Sequence, residues 1–460
     1  MRVAIIGGGI SGLSAAFTLE QRRLTANENL EYVLYEASAR LGGVLRTEYV
    51  DGFVVEAGPD SFLTEKPWAA DLCCALGIGD QLIGSNDATR KTYILRAGRL
   101  EEMPDGLMFM VPTKILPVAF STLFSWKTKL RMAWEFLEAP SAAQEDESVA
   151  SLIARHYGEE MVDRLADPLL SGIYGGCARD LSVRAVMPRF AEMEREHGSL
   201  SCAMLKASKS MPRSQAQRPL FTSLRDGMEQ LPRAIISRLP STSLRTNSPV
   251  QSIQIDGGGW RIVSGENTEH FDAVILALPS HAAASLPRDF APELAVELSA
   301  IRYTSSVTVA LGYDASVRRL LPPGFGFLVP RSEGKRMLAA TFVHNKFSYR
   351  VPEDCALIRC AFGGANADEI AQQSEADIVR IVRDELRQIL VLRAEPLFTR
   401  VYKWKSAMAQ YGVGHLDRLR RIENLRRQLP RLALAGNGYR GIGIPDCVRS
   451  GSDAVSQVLS

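Results

Sequence analysis

Chemistry is first legible in three glycines and one acid. Gly7, Gly9 and Gly12 stand at G-x-G-x-x-G spacing, after the apolar run Val3-Ala4-Ile5-Ile6 and before helix-forming Ser14 to Glu20. Gly7 permits a tight turn, Gly9 lets a pyrophosphate approach the backbone, and Gly12 lets the helix lie close to the strand. Unpaired N–H groups and the positive end of the helix dipole then hold the phosphates. A second strand, Tyr32-Val33-Leu34-Tyr35, ends in Glu36, whose carboxylate can accept hydrogen bonds from an adenosine ribose. Strand, turn, helix and acid in this order predict a dinucleotide site, with Gly7, Gly8, Gly9, Ile10, Ser11, Gly12 and Leu13 at its centre.

The residues just downstream choose among dinucleotides. Glu36-Ala37-Ser38-Ala39-Arg40-Leu41-Gly42-Gly43 adds a fixed positive charge at Arg40. Its glycine pair lets backbone run close beneath a flat ring or a pyrophosphate. A nicotinamide site has no need of that extension, nor of Asp51 to Ser61 after it. The run resembles the flavin amine oxidase superfamily, whose members bind FAD here. Near the other end, Gly436, Gly438 and Gly441 repeat the glycine spacing, but no strand with a terminal acid follows. They read as a turn that brings backbone and the N-terminus of the last helix to the flavin ring, the alternative being a plain strand–turn–helix join. With no second dinucleotide fingerprint, electrons must leave to oxygen, a quinone or another diffusible acceptor.

Other chemistries fit poorly. The six histidines (156, 197, 270, 281, 344, 415) lack metal-ligand spacing, so no metal is expected, and surface or core roles suit His344 and His415. Arg418, Arg420, Arg421, Arg426, Arg427 and Arg431 read as a solvated helix face, because no aromatic residues interleave with them. A net charge of +2 argues against a chain built for nucleic acid. Seven cysteines include no C-x-x-C pair, and adjacent Cys73 and Cys74 fall on different faces of a helix. With the nucleotide strand starting at residue 3, the expectation is a reduced, cytoplasmic protein, at most peripheral on the inner face of a membrane.

The elements that must position these residues form an α/β protein of 460 residues in three parts. A helix is expected over Pro67 to Leu76, then a strand at Thr92-Tyr93-Ile94-Leu95. The most apolar stretch runs from Leu107 through Phe109 to Phe124, broken by Pro112, Lys114 and Pro117. Two readings fit it: a buried segment between domains, or a surface dipping into one leaflet, bordered by Lys114, Lys127, Lys129 and Arg131. After a polar linker at Ala142 to Glu147, Val149, Leu152, Ile153, Met161, Val162, Leu165 and Leu169 fall at helical spacing. Lys206 to Pro219 reads as a loop. A hairpin follows at Val250 to Val263, then a continuous apolar strand at Asp272 to Pro279. Residues 293–400 carry successive strands and a helix at Ile378 to Leu390, which argues for an antiparallel α+β domain. The expected division is a Rossmann-like nucleotide domain (1–64, 218–292, 401–460), a helical, membrane-associating insertion (86–206) and a substrate domain (65–85, 293–400).

Taken together the chain is similar to the oxygen-dependent porphyrinogen oxidases of haem synthesis, a branch of that superfamily. The likeness is carried by Gly58-Pro59-Asp60-Ser61-Phe62-Leu63, Leu170-Ser171-Gly172-Ile173-Tyr174-Gly175-Gly176, Lys403-Trp404, Gln410-Tyr411, Val413-Gly414-His415 and Gly443-Ile444-Pro445-Asp446-Cys447. It implies FAD contacts at Gly8 to Leu13, Glu36, Ala37, Val44, Gly58, Pro59, Asp60, Ser61, Val250, Trp404, Gly443, Ile444 and Pro445, beside Arg40 and Gly43. It also favours the lipid-facing reading of the apolar stretch. In such enzymes the macrocycle lies in an apolar slot over the flavin. Phe325 and Leu328, with Thr341 and Ala361 behind, resemble one wall, and Lys66 is the nearest cation for a substrate carboxylate. No protein catalytic residue is implied: hydride passes from a bridging carbon to the flavin, and oxygen takes the electrons as peroxide. FAD should be non-covalent, since Cys447 is the one Cys or His in the Gly436 to Cys447 turn. Expected partners are the porphyrinogen, oxygen, a lipid surface, and a second copy of the chain or the next enzyme of haem synthesis. Coproporphyrinogen III is favoured over protoporphyrinogen IX. An amine oxidase or carotenoid desaturase would need a different middle.

Overall fold

The computed structural model describes residues 1–25, 29–108, 110–140, 145–210 and 218–460. Apolar runs Arg2–Ile6, Glu31–Tyr35 and Ala273–Leu276 are buried on both faces and pair in parallel, as continuous hydrophobic strands must. Leu244–Arg245 and Leu432–Leu434 complete a five-stranded sheet at its two edges. Helices Ile10–Thr25 and Ile444–Leu459 cover it side by side and run parallel. Ser14 Oγ donates to the Val448 carbonyl (2.8 Å), and further along the pair Thr18 Oγ1 meets Ser452 Oγ (3.0 Å). A Cβ on Gly451 would overlap the Ser11 carbonyl, so this glycine sets the helix spacing. On the other side lies a meander of Val250–Asp256, Gly259–Ser264 and Asn267–Phe271; the expected hairpin has a third strand.

A seven-stranded sheet makes the second unit, in the order Phe398–Ala409, Tyr303–Tyr313, Ala356–Phe362, Ala339–Phe342, Gly326–Leu328, Thr92–Arg96, Arg99–Glu102. All neighbours are antiparallel except Gly326–Leu328 with Thr92–Arg96. Two boundaries therefore move. Thr92–Arg96 and Arg99–Glu102 were expected in the helical insertion, and residues 401–409 in the nucleotide domain. All pair here, because backbone pairing joins segments whose partners lie far off in sequence. Phe327, Ala340, Phe342, Cys360 and Phe362 bury one face of this sheet against helix Glu375–Leu390. Leu328, Ala339, Thr341, Arg359 and Ala361 alternate with them and are half-buried on the opposite face.

The helical unit packs around Val149, Leu152, Ile153, Met161, Val162 and Leu165, all buried as their spacing predicts; Leu169 is half-buried and Leu170 lies inside. Helix Leu200–Ser210 replaces the first part of the expected loop, while 211–217 lie outside the described residues, as do 141–144 of the linker. The apolar stretch is buried in part and exposed in part. Met110, Val111, Val118, Leu123 and Phe124 fill the helical core, while Leu116 and Phe120 face outward; Phe109 lies outside the described residues. The outward side continues onto helix Trp126–Glu135, where Trp126, Leu130 and Trp134 at four-residue spacing, then Leu137, are 61–74% exposed. No helix among the described residues is long and apolar enough to cross a membrane.

Candidate flavin and substrate site

Parallel packing of the first and last helices places both N-termini at the carboxyl edge of the parallel sheet, where open α/β sheets bind ligands. Each glycine of the first turn meets a different constraint. Gly7 has φ of +112°, a conformation L side chains avoid, and its N–H donates to the Tyr35 carbonyl (2.8 Å). A Cβ at Gly12 would overlap the Gly7 carbonyl, whereas a Cβ at Gly9 would meet nothing within 4 Å. That is the pattern of a turn glycine, a packing glycine and a glycine that keeps space clear for a ligand, so the residues fit a bound pyrophosphate.

Glu36 is tied into the same turn. Its Oε2 accepts from Gly8 N–H (2.8 Å), and Oε1 from the N–H and hydroxyl of Ser38 (2.8 and 2.7 Å). These bonds fix the carboxylate and leave lone pairs free for a ribose. Gly42 N–H donates to the Gly8 carbonyl (2.8 Å), and Gly43 lies against Gly9, so the glycine pair folds over the first turn. The Arg40 guanidinium donates to the carbonyls of Leu41 (3.1 Å), Leu45 (3.0 Å) and Gly43, which fixes its charge beside the glycine pair. Ala37 and Val44 are exposed beside it, and Val250 opens the meander.

Gly58 to Ser61 run from strand Phe53–Glu56 of a two-stranded ribbon to Phe62–Leu63 of a small three-stranded sheet. Gly58 approaches the Val44 carbonyl so closely that a Cβ would overlap it. Trp404, on the long outer strand of the seven-stranded sheet, donates its indole N–H to the Ala57 carbonyl (2.8 Å). Asp60 accepts from buried Lys346 (3.1 and 3.2 Å) and from the Ser61 hydroxyl (2.7 Å). Burial opposes its ionisation, but Lys346 and Arg359 outweigh that and hold the carboxyl below its ordinary range. Arg350, fully buried, pairs with Glu56 (3.1 Å) and donates to the Leu224 carbonyl (3.0 Å).

The sheet brings three of the four expected wall residues together. Leu328 pairs with Ala339 and Ala339 with Ala361; Gly326 pairs with Thr341 and Thr341 with Arg359. Leu328, Thr341 and Ala361 therefore share the half-buried face that looks toward the Gly58 loop. Phe325 is 8% exposed and precedes the strand, with its N–H on the Lys91 carbonyl (2.8 Å). Arg359 stands on this face too, donating to the Gly58 carbonyl and 3.5 Å from Thr308 Oγ1; its Nε is buried with no partner among the described residues. Sequence reasoning missed it. The signal was present as a charge alternating with Cys360 and in phase with Ala361 in a strand.

The remaining motifs brace the site. Gly175 caps the Ser171–Tyr174 turn against the sheet, where its carbonyl accepts from Gly364 N–H (2.9 Å) and Thr304 Oγ1 (3.0 Å). Tyr411 stacks on His415 (centroids 4.1 Å apart), receives Gly441 N–H (2.8 Å) and donates to the Asn437 carbonyl (2.7 Å), pinning the second glycine turn. His415 and His344 are buried and held below the ordinary imidazole range chiefly by that burial, as core histidines are. Gly443, Ile444 and Pro445 begin the last helix. Lys66 Nζ lies 2.6 Å from Asp446 Oδ2 in that helix's first turn.

Comparison with known proteins agrees with this geometry. The family described as flavin containing amine oxidoreductase matches residues 10–459. The chain is 34% identical to coproporphyrinogen III oxidase of Bacillus subtilis, covering 100% of this chain and 98% of that one. It is 29% identical to the Staphylococcus aureus enzyme of the same name, over 100% and 99%. A crystal structure from Exiguobacterium sp. 255-15, provisionally named a protoporphyrinogen oxidase, superimposes with a TM-score of 0.88 at 30% identity, over 99% and 98%. The turn that keeps Gly9 clear, the paired helix N-termini and this full-length likeness lead to one conclusion: the chain belongs to the flavin containing amine oxidoreductase family, on the branch of the porphyrinogen oxidases.

Proposed function

We propose that this protein binds FAD non-covalently and oxidises a porphyrinogen to a porphyrin, with coproporphyrinogen III as the preferred substrate and oxygen as acceptor. The observation that carries the reading is the sheet face of Leu328, Thr341 and Ala361 turned toward the Gly58 loop, beside two helix N-termini. The Bacillus subtilis and Staphylococcus aureus relatives are named coproporphyrinogen III oxidases, which supports the four-carboxylate substrate, while the Exiguobacterium structure carries the protoporphyrinogen name. A bound flavin supplies hydride acceptance at N5 and passes the electrons on. The chain's own residues bind, orient and exclude water. The Gly7 to Gly12 turn and the dipole of the first helix would hold the phosphates, Glu36 the ribose, and Gly58 to Ser61 with the N-terminus of the last helix at Gly443 to Pro445 the ring. The apolar face would lay the macrocycle flat and desolvate the bridging carbon. No strong base is needed, because the proton lost from a pyrrole nitrogen is acidified by the positive charge left after hydride removal.

The outward stripe of Leu116, Phe120, Trp126, Leu130, Trp134 and Leu137 would seat on lipid, with Lys114, Lys127, Lys129 and Arg131 at the headgroups. Lys129 already stacks on Trp126 (4.6 Å). Turnover of coproporphyrinogen III and protoporphyrinogen IX, followed by porphyrin fluorescence, tests the substrate. Faster turnover of protoporphyrinogen IX would reverse the preference, and turnover of neither would end the proposal. Sedimentation with anionic vesicles, lost in Trp126→Ser/Leu130→Ser, tests the surface.

A further inference from the structure

We propose that Lys66 and Asp446 form an ion pair that sets the electron affinity of the flavin, rather than Lys66 binding a substrate carboxylate. This rests on the flavin reading above. Asp446 is 4% exposed and sits in the first turn of helix Ile444–Leu459, whose N-terminus opens at the carboxyl edge of the nucleotide sheet. Lys66 comes from the segment that follows the Gly58 to Leu63 run, 380 positions away, and places its ammonium 2.6 Å from Asp446 Oδ2. Among the described residues the other cation paired with Asp446 is Arg449, 3.9 Å from Oδ1, and that guanidinium is stacked 4.0 Å over the Trp68 ring. Tyr174 borders the pair: burial, then the charge of Asp446, pushes its phenol up to about 12.

The electrostatics follow from placement. A helix N-terminus favours negative charge on a nearby reduced ring. A buried carboxylate in that first turn opposes it, and a paired ammonium removes most of the opposition. Losing Lys66 leaves Asp446 uncompensated, so two-electron reduction becomes harder. Losing Asp446 makes it easier, and losing both restores the balance. An acid in the first turn also stabilises its own helix, a role that would change melting temperature without changing a potential.

The experiment is spectroelectrochemical titration of the holoprotein with Lys66→Met, Lys66→Arg, Asp446→Asn and the Lys66→Met/Asp446→Asn double variant. Lys66→Met should shift the two-electron reduction equilibrium about tenfold against reduction, about 30 mV more negative. Asp446→Asn should shift it the opposite way, while Lys66→Arg and the double variant should lie near the parent. KM for porphyrinogen should stay unchanged in Lys66→Met while anaerobic flavin reduction slows. An unaltered potential with a raised KM would overturn the proposal and return Lys66 to the substrate's carboxylates. If Asp446→Asn does not fold, Lys66→Met and Lys66→Arg still decide, since Lys66 is 40% exposed. Parent protein that purifies without flavin would defeat the flavin reading itself; flavin in every variant at one potential would defeat the ion pair alone.

Discussion

Gly9→Val should separate cofactor binding from folding. A Cβ at Gly9 meets no atom within 4 Å and the backbone there is not left-handed, so the substitution adds no overlap within the protein. Its effect on the apoprotein should match that of an ordinary surface change, within about 0.5 kcal/mol. The branched side chain occupies the volume a pyrophosphate needs. Displacing the phosphate from two backbone N–H groups loses two hydrogen bonds to a charged group at ~1.5–3 kcal/mol each, or roughly 3–6 kcal/mol together. That is about a hundredfold to ten-thousandfold in affinity. Gly12→Ala is the contrast: its Cβ overlaps the Gly7 carbonyl and stands 3.3 Å from the Ala277 Cβ, with ~1–3 kcal/mol of overpacking in either state. The assay is flavin content after desalting, with thermal melts of deflavinated and flavin-saturated protein. Gly9→Val should melt like the parent when both are empty and gain nothing from added FAD. Retention of flavin by Gly9→Val, or loss of apoprotein stability matching that of Gly12→Ala, would refute the reasoning.

Three further expectations can be checked directly. Leu328→Ala should leave the flavin spectrum unchanged and lower kcat/KM roughly tenfold by loss of ~1.5 kcal/mol of packing; Phe325→Ala, at a buried position, should cost stability as well. Gly451→Ala should lower the melting temperature and weaken flavin binding together. Its overlap with the Ser11 carbonyl costs ~1–3 kcal/mol, more than the ~1 kcal/mol of helix propensity gained. His156 is buried with Nδ1 2.9 Å from Glu138 and 3.2 Å from Glu135, and Nε2 3.2 Å from Glu194. Burial lowers its affinity for a proton, but the carboxylates outweigh this and raise it above the ordinary value of 6.5. The stabilisation is thus full below 6.5 and lost as pH rises through the folded value. His156→Gln should cost most in melting temperature at pH 6 and progressively less at alkaline pH; a constant deficit would mean an uncharged imidazole.

The nucleotide turn was legible because its glycines carry the constraint in their own spacing: Gly7 takes a φ that L side chains avoid, Gly12 packs on the Gly7 carbonyl, and a Cβ at Gly9 would stand in open space. The helical set from Val149 to Leu165 was legible for the same reason, through 3.6-residue periodicity. What stayed hidden depends on partners remote in sequence. Thr92–Arg96 reads as a strand, but nothing local says that it lies parallel to Gly326–Leu328. Lys66 looked like a free cation because Asp446 stands 380 positions later. Arg359 was passed over because a charge in a strand is ordinarily solvent-facing, and only the approach of Gly58 makes it an interior group. The apolar stretch misled in a different way: composition cannot divide Val111 and Leu123, which face the helical core, from Phe120, which faces out.

The parallel pairing of the first and last helices has a consequence for how the molecule is made. Ser14 is held by Val448, 434 positions away, and the sheet beneath draws strands from the beginning, middle and end of the chain. During synthesis the amino-terminal glycine turn leaves the ribosome hundreds of residues before the helix that locks it. The helical and seven-stranded units can begin to settle first, while the nucleotide sheet waits with unpaired edges and a bare apolar helix. Such late, long-range closure slows folding and exposes intermediates to aggregation. A flavin held by both glycine turns would find its site complete only once Leu432–Leu434 and the final helix have docked, so added flavin should raise the yield of folded protein rather than the rate of early folding.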